Sequence, residues 1–132
     1  MIYFDSSALV KLVRREAESD DLRGWLRAHR EPVASSALAR TEVVRAVRRD
    51  AERLGDRARR VLSGVEFVPM TFDLLDRAAD LTAELRSLDA IHLASALRLR
   101  GDLDAFVAYD KRLLVAADGM GLPTASPGGT SA

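Results

Sequence analysis

The chain has 132 residues, 20 basic and 20 acidic side chains, and a formal net charge of zero. That length supports one domain with its own hydrophobic core, and a composition 48% hydrophobic and 30% charged excludes intrinsic disorder over most of it. Neutral balance argues against a protein that coats nucleic acid by charge alone, and the absence of cysteine excludes disulfides, thiolate metal sites and cysteine nucleophiles.

The first element is the apolar run Ile2-Tyr3-Phe4, closed by Asp5. Ala8, Leu9, Leu12 and Val13 follow at helical spacing, so the segment reads strand, turn, helix, with Asp5 or Ser6 as N-cap. A second helix starts near Ser19, carries Leu22, Trp25, Leu26 and His29 on one face and stops at Pro32. Residues 32–36 read as a short strand. A long helix over 38–54 has Val43, Val44, Val47, Ala51 and Leu54 as its apolar stripe and Gly55 as its end, and Asp56 caps a short helix to Leu62.

A third strand over 65–68 breaks at Pro69, and Thr71 opens a helix with Leu74, Leu75, Ala78, Leu81 and Leu85 inward. Ser87 caps a helix over 88–100 that is apolar around most of its circumference, the pattern of a core helix. Ala105 to Tyr109 form a fourth strand ending at Asp110, followed by a helix through Leu113–Ala117. Leu122 to Ala125 form an edge strand, since Pro123 cannot donate to a ladder. Strands alternating with helices predict an α/β fold with a parallel sheet of about five strands. Residues 1–125 are expected to form the domain and 126–132 a flexible tail. No apolar run approaches the ~18–20 residues of a membrane span, and no secretory signal is visible. The expected setting is the reducing cytoplasm, with no membrane partner.

Zero net charge hides a division. Residues 40–60 hold eight arginines against Glu42, Asp50, Glu52 and Asp56, whereas residues 61–132 hold six basic groups against ten acidic ones. A basic stretch therefore sits in sequence beside an acidic region.

Sites in open parallel sheets form beyond the carboxyl ends of the strands, where Asp5 and Asp110 stand. Each on its own is better explained as a helix cap, and the two together, both closing apolar strands, shift the balance. Asp89 lies in the first turn of the apolar helix; it suits the positive end of the helix dipole, and His92, one turn on, is available to it as a partner. Glu42 shares a helix face with Arg45 and Arg49, and periodicity alone makes it a solvated residue paired with one of them. If the four converge, their chemistry is that of a hard divalent cation, Mg²⁺ or Mn²⁺, which prefers carboxylate and water oxygens, activates water and stabilises a phosphoryl transition state. Spacing alone does not bring them together.

The runs Tyr3-Phe4-Asp5-Ser6-Ser7-Ala8-Leu9-Val10-Lys11, Thr41-Glu42-Val43, Leu88-Asp89-Ala90-Ile91-His92-Leu93-Ala94 and Tyr109-Asp110-Lys111-Arg112-Leu113 resemble PIN-domain ribonucleases, in particular the VapC toxins of bacterial toxin–antitoxin pairs. The resemblance implies a three-layer α/β/α sandwich with the carboxylates at the carboxyl edge of the sheet. It implies Asp5, Glu42, Asp89 and Asp110 as catalytic ligands of Mg²⁺ or Mn²⁺, overriding the solvated reading of Glu42. Ser7, and more loosely Ser6, would support them. Arg112 would contact phosphate, with Arg45 and Arg49 drawing in the RNA. It further implies a metal-dependent endoribonuclease acting on tRNA or rRNA, a homodimer, and a cognate VapB-like antitoxin whose C-terminal segment covers the site. One departure stands out: where the family often has Thr-x-Asp, this chain has Ala108-Tyr109-Asp110. A catalytically impaired PIN-like RNA- or protein-binding module is the alternative that departure suggests. Another Mg²⁺-dependent phosphotransfer domain fits less well. A haloacid-dehalogenase-like phosphatase wants a second aspartate where Ser7 stands, and a receiver domain wants an acidic pair.

Overall fold

The computed structural model describes residues 1–129. The end of the expected tail, 130–132, lies outside the described residues. In chain order the elements are β1 (Ile2–Phe4), α1 (Ser6–Val13), α2 (Ser19–His29), β2 (Val33–Ser36), α3 (Ala39–Arg48), α4 (Glu52–Leu62), β3 (Glu66–Val68), α5 (Phe72–Asp80), α6 (Ser87–Arg98), a 3₁₀ turn (Arg100–Asp102), β4 (Ala105–Val107), α7 (Lys111–Gly119) and β5 (Thr124–Ala125).

The strands form one sheet in the order β3-β2-β1-β4-β5, with every pair parallel. Alternation along β1 divides the core, because successive strand side chains point to opposite faces. Ile2 and Phe4 pack with α1 to α4, while Tyr3 packs with α6 and α7 beside Phe106 and Ala108. A third cluster joins β3, α5 and α6 through Val68, Leu74, Ala78 and Ala94. The result is the expected three-layer sandwich. The chain winds from β1 out to β3 and then returns to β4 on the other side of β1. This places a topological switch point between β1 and β4, where open α/β sheets form their sites.

Four local expectations are corrected. The helix expected over 38–54 breaks after Arg48. Ala51 is extended (φ −166°, ψ 139°), and the Arg14 guanidinium holds the break by donating to the Ala46 carbonyl at 3.4 Å and to Asp50 at 2.7 Å. Gly55 therefore ends no helix and Asp56 caps none; Gly55 lies inside α4, buried with Ala58 and Leu62. The helix opened by Thr71 ends at Asp80, where Leu81 turns extended (ψ 132°), although Leu81 and Leu85 still pack inward from the following loop. Finally, α6 is a core helix only in its centre. His92 to Ala96 are buried, but its first turn lies at the surface, with Leu88 48% exposed.

Candidate active site

Asp5 leaves the central strand and caps α1. Its Oδ1 accepts the Ala8 amide at 2.9 Å, and the Ser7 hydroxyl lies within hydrogen-bonding distance of both carboxylate oxygens, at 2.8 and 3.0 Å. The residue is only 5% exposed, yet among the described residues no cationic side chain forms an ion pair with it. Burial pushes its pKa up and Asp89 adds to the rise; a positive charge on His92, the Ala8 amide and the Ser7 hydroxyl pull the other way. A buried carboxylate in that state lacks a counter-charge.

Asp110 leaves β4 across the switch point, exposed, and caps α7 by accepting the Leu113 amide at 3.1 Å. Asp89 stands on the surface turn of α6, where Arg86 reaches one of its oxygens at 3.4 Å. Asp89 and Asp110 line one open cleft of about 620 Å³, together with Glu84, Arg86, Lys111 and Arg112.

Glu42 is held apart from solvent-facing arginines. Its Oε1 accepts the Ser6 hydroxyl at 2.6 Å and lies 3.0 Å from His92 Nε2. No ion pair with Arg45 or Arg49 exists among the described residues, so the solvated reading from periodicity is overturned. Partial burial raises the Glu42 pKa, but the hydrogen bonds from His92 and Ser6 outweigh it and hold the carboxyl below its usual range. His92 accordingly serves Glu42 and not Asp89. Its Nδ1 is 2.7 Å from the Tyr3 hydroxyl, deep in the core.

Of the expected phosphate contacts, Arg112 lines the carboxylate cleft. Arg45 lines a second cleft between α3 and α4 with Arg40 and Arg59, and Arg49 is exposed at the end of α3 and lines neither. Sequence reasoning missed the Tyr3–His92–Glu42 chain and the place of Arg86 and Lys111 on the cleft. A tyrosine in an otherwise aliphatic and aromatic strand, with a histidine on a core helix, was the available signal.

The PIN-domain profile matches residues 2–119. The chain belongs to the PIN-domain family. Within the family, Ribonuclease VapC47 of Mycobacterium tuberculosis (strain CDC 1551 / Oshkosh) is 45% identical over 133 residues, covering 97% of this chain and 98% of the relative. Ribonuclease VapC46 of strain ATCC 25618 / H37Rv is 47% identical over 127 residues, covering 96% and 97%. Two solved structures share the PIN fold at 22% identity. One is a toxin–antitoxin complex from Klebsiella pneumoniae, with a TM-score of 0.76 over 96% of this chain and 98% of its own. The other is M. tuberculosis VapC20, described as a sarcin-ricin loop cleaving toxin, with a TM-score of 0.73 over 96% and 100%.

In this PIN domain the donor types suit a hard divalent cation, since Asp5, Glu42, Asp89 and Asp110 offer only carboxylate oxygens. Their spacing is open: among the described residues no three His, Asp or Glu side chains stand close enough together to hold a metal ion. No helix among them is long and apolar enough to cross a membrane.

Proposed function

We propose that this chain is a divalent-metal-dependent endoribonuclease and the toxin of a toxin–antitoxin pair. The observation that carries the reading is Asp5, a buried carboxylate at the switch point of the sheet with no ion-paired cation among the described residues. Near-full-length identity to proteins named Ribonuclease VapC supplies the substrate class.

Asp5, Asp89, Asp110 and Glu42 would hold Mg²⁺ or Mn²⁺. A bound divalent cation would offset their negative charge and make water a usable nucleophile at neutral pH. The chain's own residues do the remainder. Ser7 and the Ala8 amide fix the Asp5 carboxylate, and Ser6 fixes Glu42. Asp110 is oriented by the first turn of α7. Arg112 and Lys111 bring positive charge to the cleft mouth, where a backbone phosphate must lie beside the acidic groups. Arg45 and Arg49 add a sequence-independent attraction for structured RNA, tRNA or rRNA, from the α3–α4 side.

A VapB-like antitoxin is the expected partner, its arginine replacing the cation by bidentate pairing with the carboxylates. The reading includes a homodimer, a cytoplasmic setting and a single domain over 1–125, followed by a tail over 126–132.

Incubating total RNA with the purified protein, with Mg²⁺ or with excess chelator, tests the proposal. Discrete cuts that need Mg²⁺ and leave 5′-phosphate and 3′-hydroxyl ends are expected. Cleavage indifferent to chelator would contradict the metal assignment. The impaired-module alternative draws on Ala108, fully buried with no hydroxyl to offer the Asp110 segment; it predicts RNA binding without cleavage and no calorimetric Mg²⁺ binding.

A further inference from the structure

Tyr3, His92, Ser6 and Glu42 come from β1, α6, α1 and α3, and so connect both helical layers through the central strand. Their protons can be assigned by counting. An ionised carboxylate only accepts hydrogen bonds, a hydroxyl has one proton to give, and a neutral imidazole has one donor and one acceptor nitrogen. Ser6 spends its proton on Glu42 Oε1 at 2.6 Å. His92 Nε2 faces that same oxygen and the Ser6 oxygen, each at 3.0 Å, so Nε2 carries the N–H.

On the other side of the ring, Nδ1 lies 2.7 Å from the hydroxyl of Tyr3, a fully buried residue. The nearby Ser35 and Ser95 hydroxyls donate to the Phe4 and Ile91 carbonyls, at 2.6 and 2.7 Å. The Tyr3 hydroxyl thus meets the His92 ring from the core side. The tyrosine is itself immobilised, stacked on Phe106 with ring centroids 5.4 Å apart and planes 3° from parallel.

We propose that Tyr3 and His92 are a positioning pair: the Tyr3 hydroxyl holds the His92 ring through Nδ1, and the Nε2–H fixes the Glu42 carboxylate for service at the metal site. The arrangement is a hydrogen-bonded support behind a ligand, of the kind whose loss weakens metal binding roughly 10–100-fold. The inference rests on the proposed function only in taking Glu42 as a cation ligand.

Two measurements test it. The first is the long-range proton–nitrogen correlation spectrum of the ¹⁵N-histidine-labelled wild-type protein at neutral pH, with His92 told from His29, the one other histidine, by the spectrum of His92→Gln. The expected pattern has a proton on Nε2 of His92. A ring whose only proton sits on Nδ1 overturns the proposal. The second is calorimetric Mn²⁺ titration of wild type, Tyr3→Phe, His92→Gln and His92→Leu. Tyr3→Phe removes one hydroxyl and should raise the Mn²⁺ midpoint about tenfold. His92→Gln keeps a donor near Glu42 and should retain more affinity than His92→Leu. An unchanged midpoint in Tyr3→Phe and His92→Leu overturns the positioning role. A wild-type protein that neither binds Mn²⁺ nor cuts RNA would defeat the proposed function instead, and the tautomer spectrum then decides the pair by itself.

Discussion

Glu42 and Asp110 are both candidate ligands, but they occupy opposite kinds of surroundings. On the Glu42 side, every nearby polar group is engaged: Ser6 and His92 converge on one carboxylate oxygen, and Tyr3 braces the histidine from the core. On the Asp110 side, the carboxylate is exposed, touches one backbone amide and opens on a cleft shared with Asp89 and three cationic side chains. Asp5 stands between, buried and tied down but without a counter-charge. The contrast sets a packed wall, at Glu42, against an open mouth, at Asp110. The wall is set by packing before any cation or substrate arrives. No ready-made cluster of three ligands exists among the described residues.

Breaking the open side should have the largest effect on activity and the smallest on folding. Asp89→Asn is expected to abolish Mg²⁺-dependent RNA cleavage. Its circular dichroism spectrum should match wild type, because Asp89 lies on a surface turn with one long contact to Arg86. Next in size is the stability of metal-free Asp5→Asn. Asparagine caps a helix about as well as aspartate and needs no counter-ion, so removing the buried charge should stabilise the fold by roughly 1–3 kcal/mol at neutral pH. Thermal melts should show the variant a few degrees above wild type, and added Mg²⁺ should narrow the gap.

The rigid wall carries a pH signature of opposite sign. Glu42 is held below its ordinary 4.5 in the folded state. Its contribution is therefore present above that value and is lost as pH falls through the lower folded one. Asp5 is raised, so its contribution is present below its ordinary 3.8 and lost as pH rises through the folded value. Comparing Glu42→Gln with wild type across an acid titration should give a difference of about 1 kcal/mol at pH 6 that vanishes at strongly acid pH. A difference that grows toward acid would reverse the assignment. The smallest effect belongs to Arg86→Ala. This exposed pair should contribute under about 0.5 kcal/mol to stability, while its removal frees Asp89 and should lower the Mn²⁺ midpoint slightly in a calorimetric titration.

The open side was the more legible in the sequence. Asp5 and Asp110 each close an apolar run and open a helix, and that local grammar locates both at strand ends without knowledge of the sheet order. Alternating strands and helices also announced the parallel sheet. The wall was illegible because its contacts are long-range: His92 and Glu42 are 50 residues apart, and Tyr3 and His92 are 89 apart. Periodicity put Glu42 on a face with Arg45 and Arg49, and only the approach of α1 and α6 made that face an interior one. The break between α3 and α4 was hidden for the same reason, since Arg14 holds it from α1's end and no glycine or proline marks it. The resemblance to PIN-domain ribonucleases supplied Glu42 where pattern alone would have discarded it.

The metal reading rests on Asp5, a buried carboxylate with no ion-paired cation among the described residues. Mg²⁺-dependent cleavage of total RNA by wild type and Asp5→Asn, measured side by side on folded, matched samples, tests it most directly. Wild type should make Mg²⁺-dependent cuts and Asp5→Asn none at any Mg²⁺ concentration, even though the variant is expected to be the more stable protein. Cleavage by Asp5→Asn at the wild-type rate would contradict it.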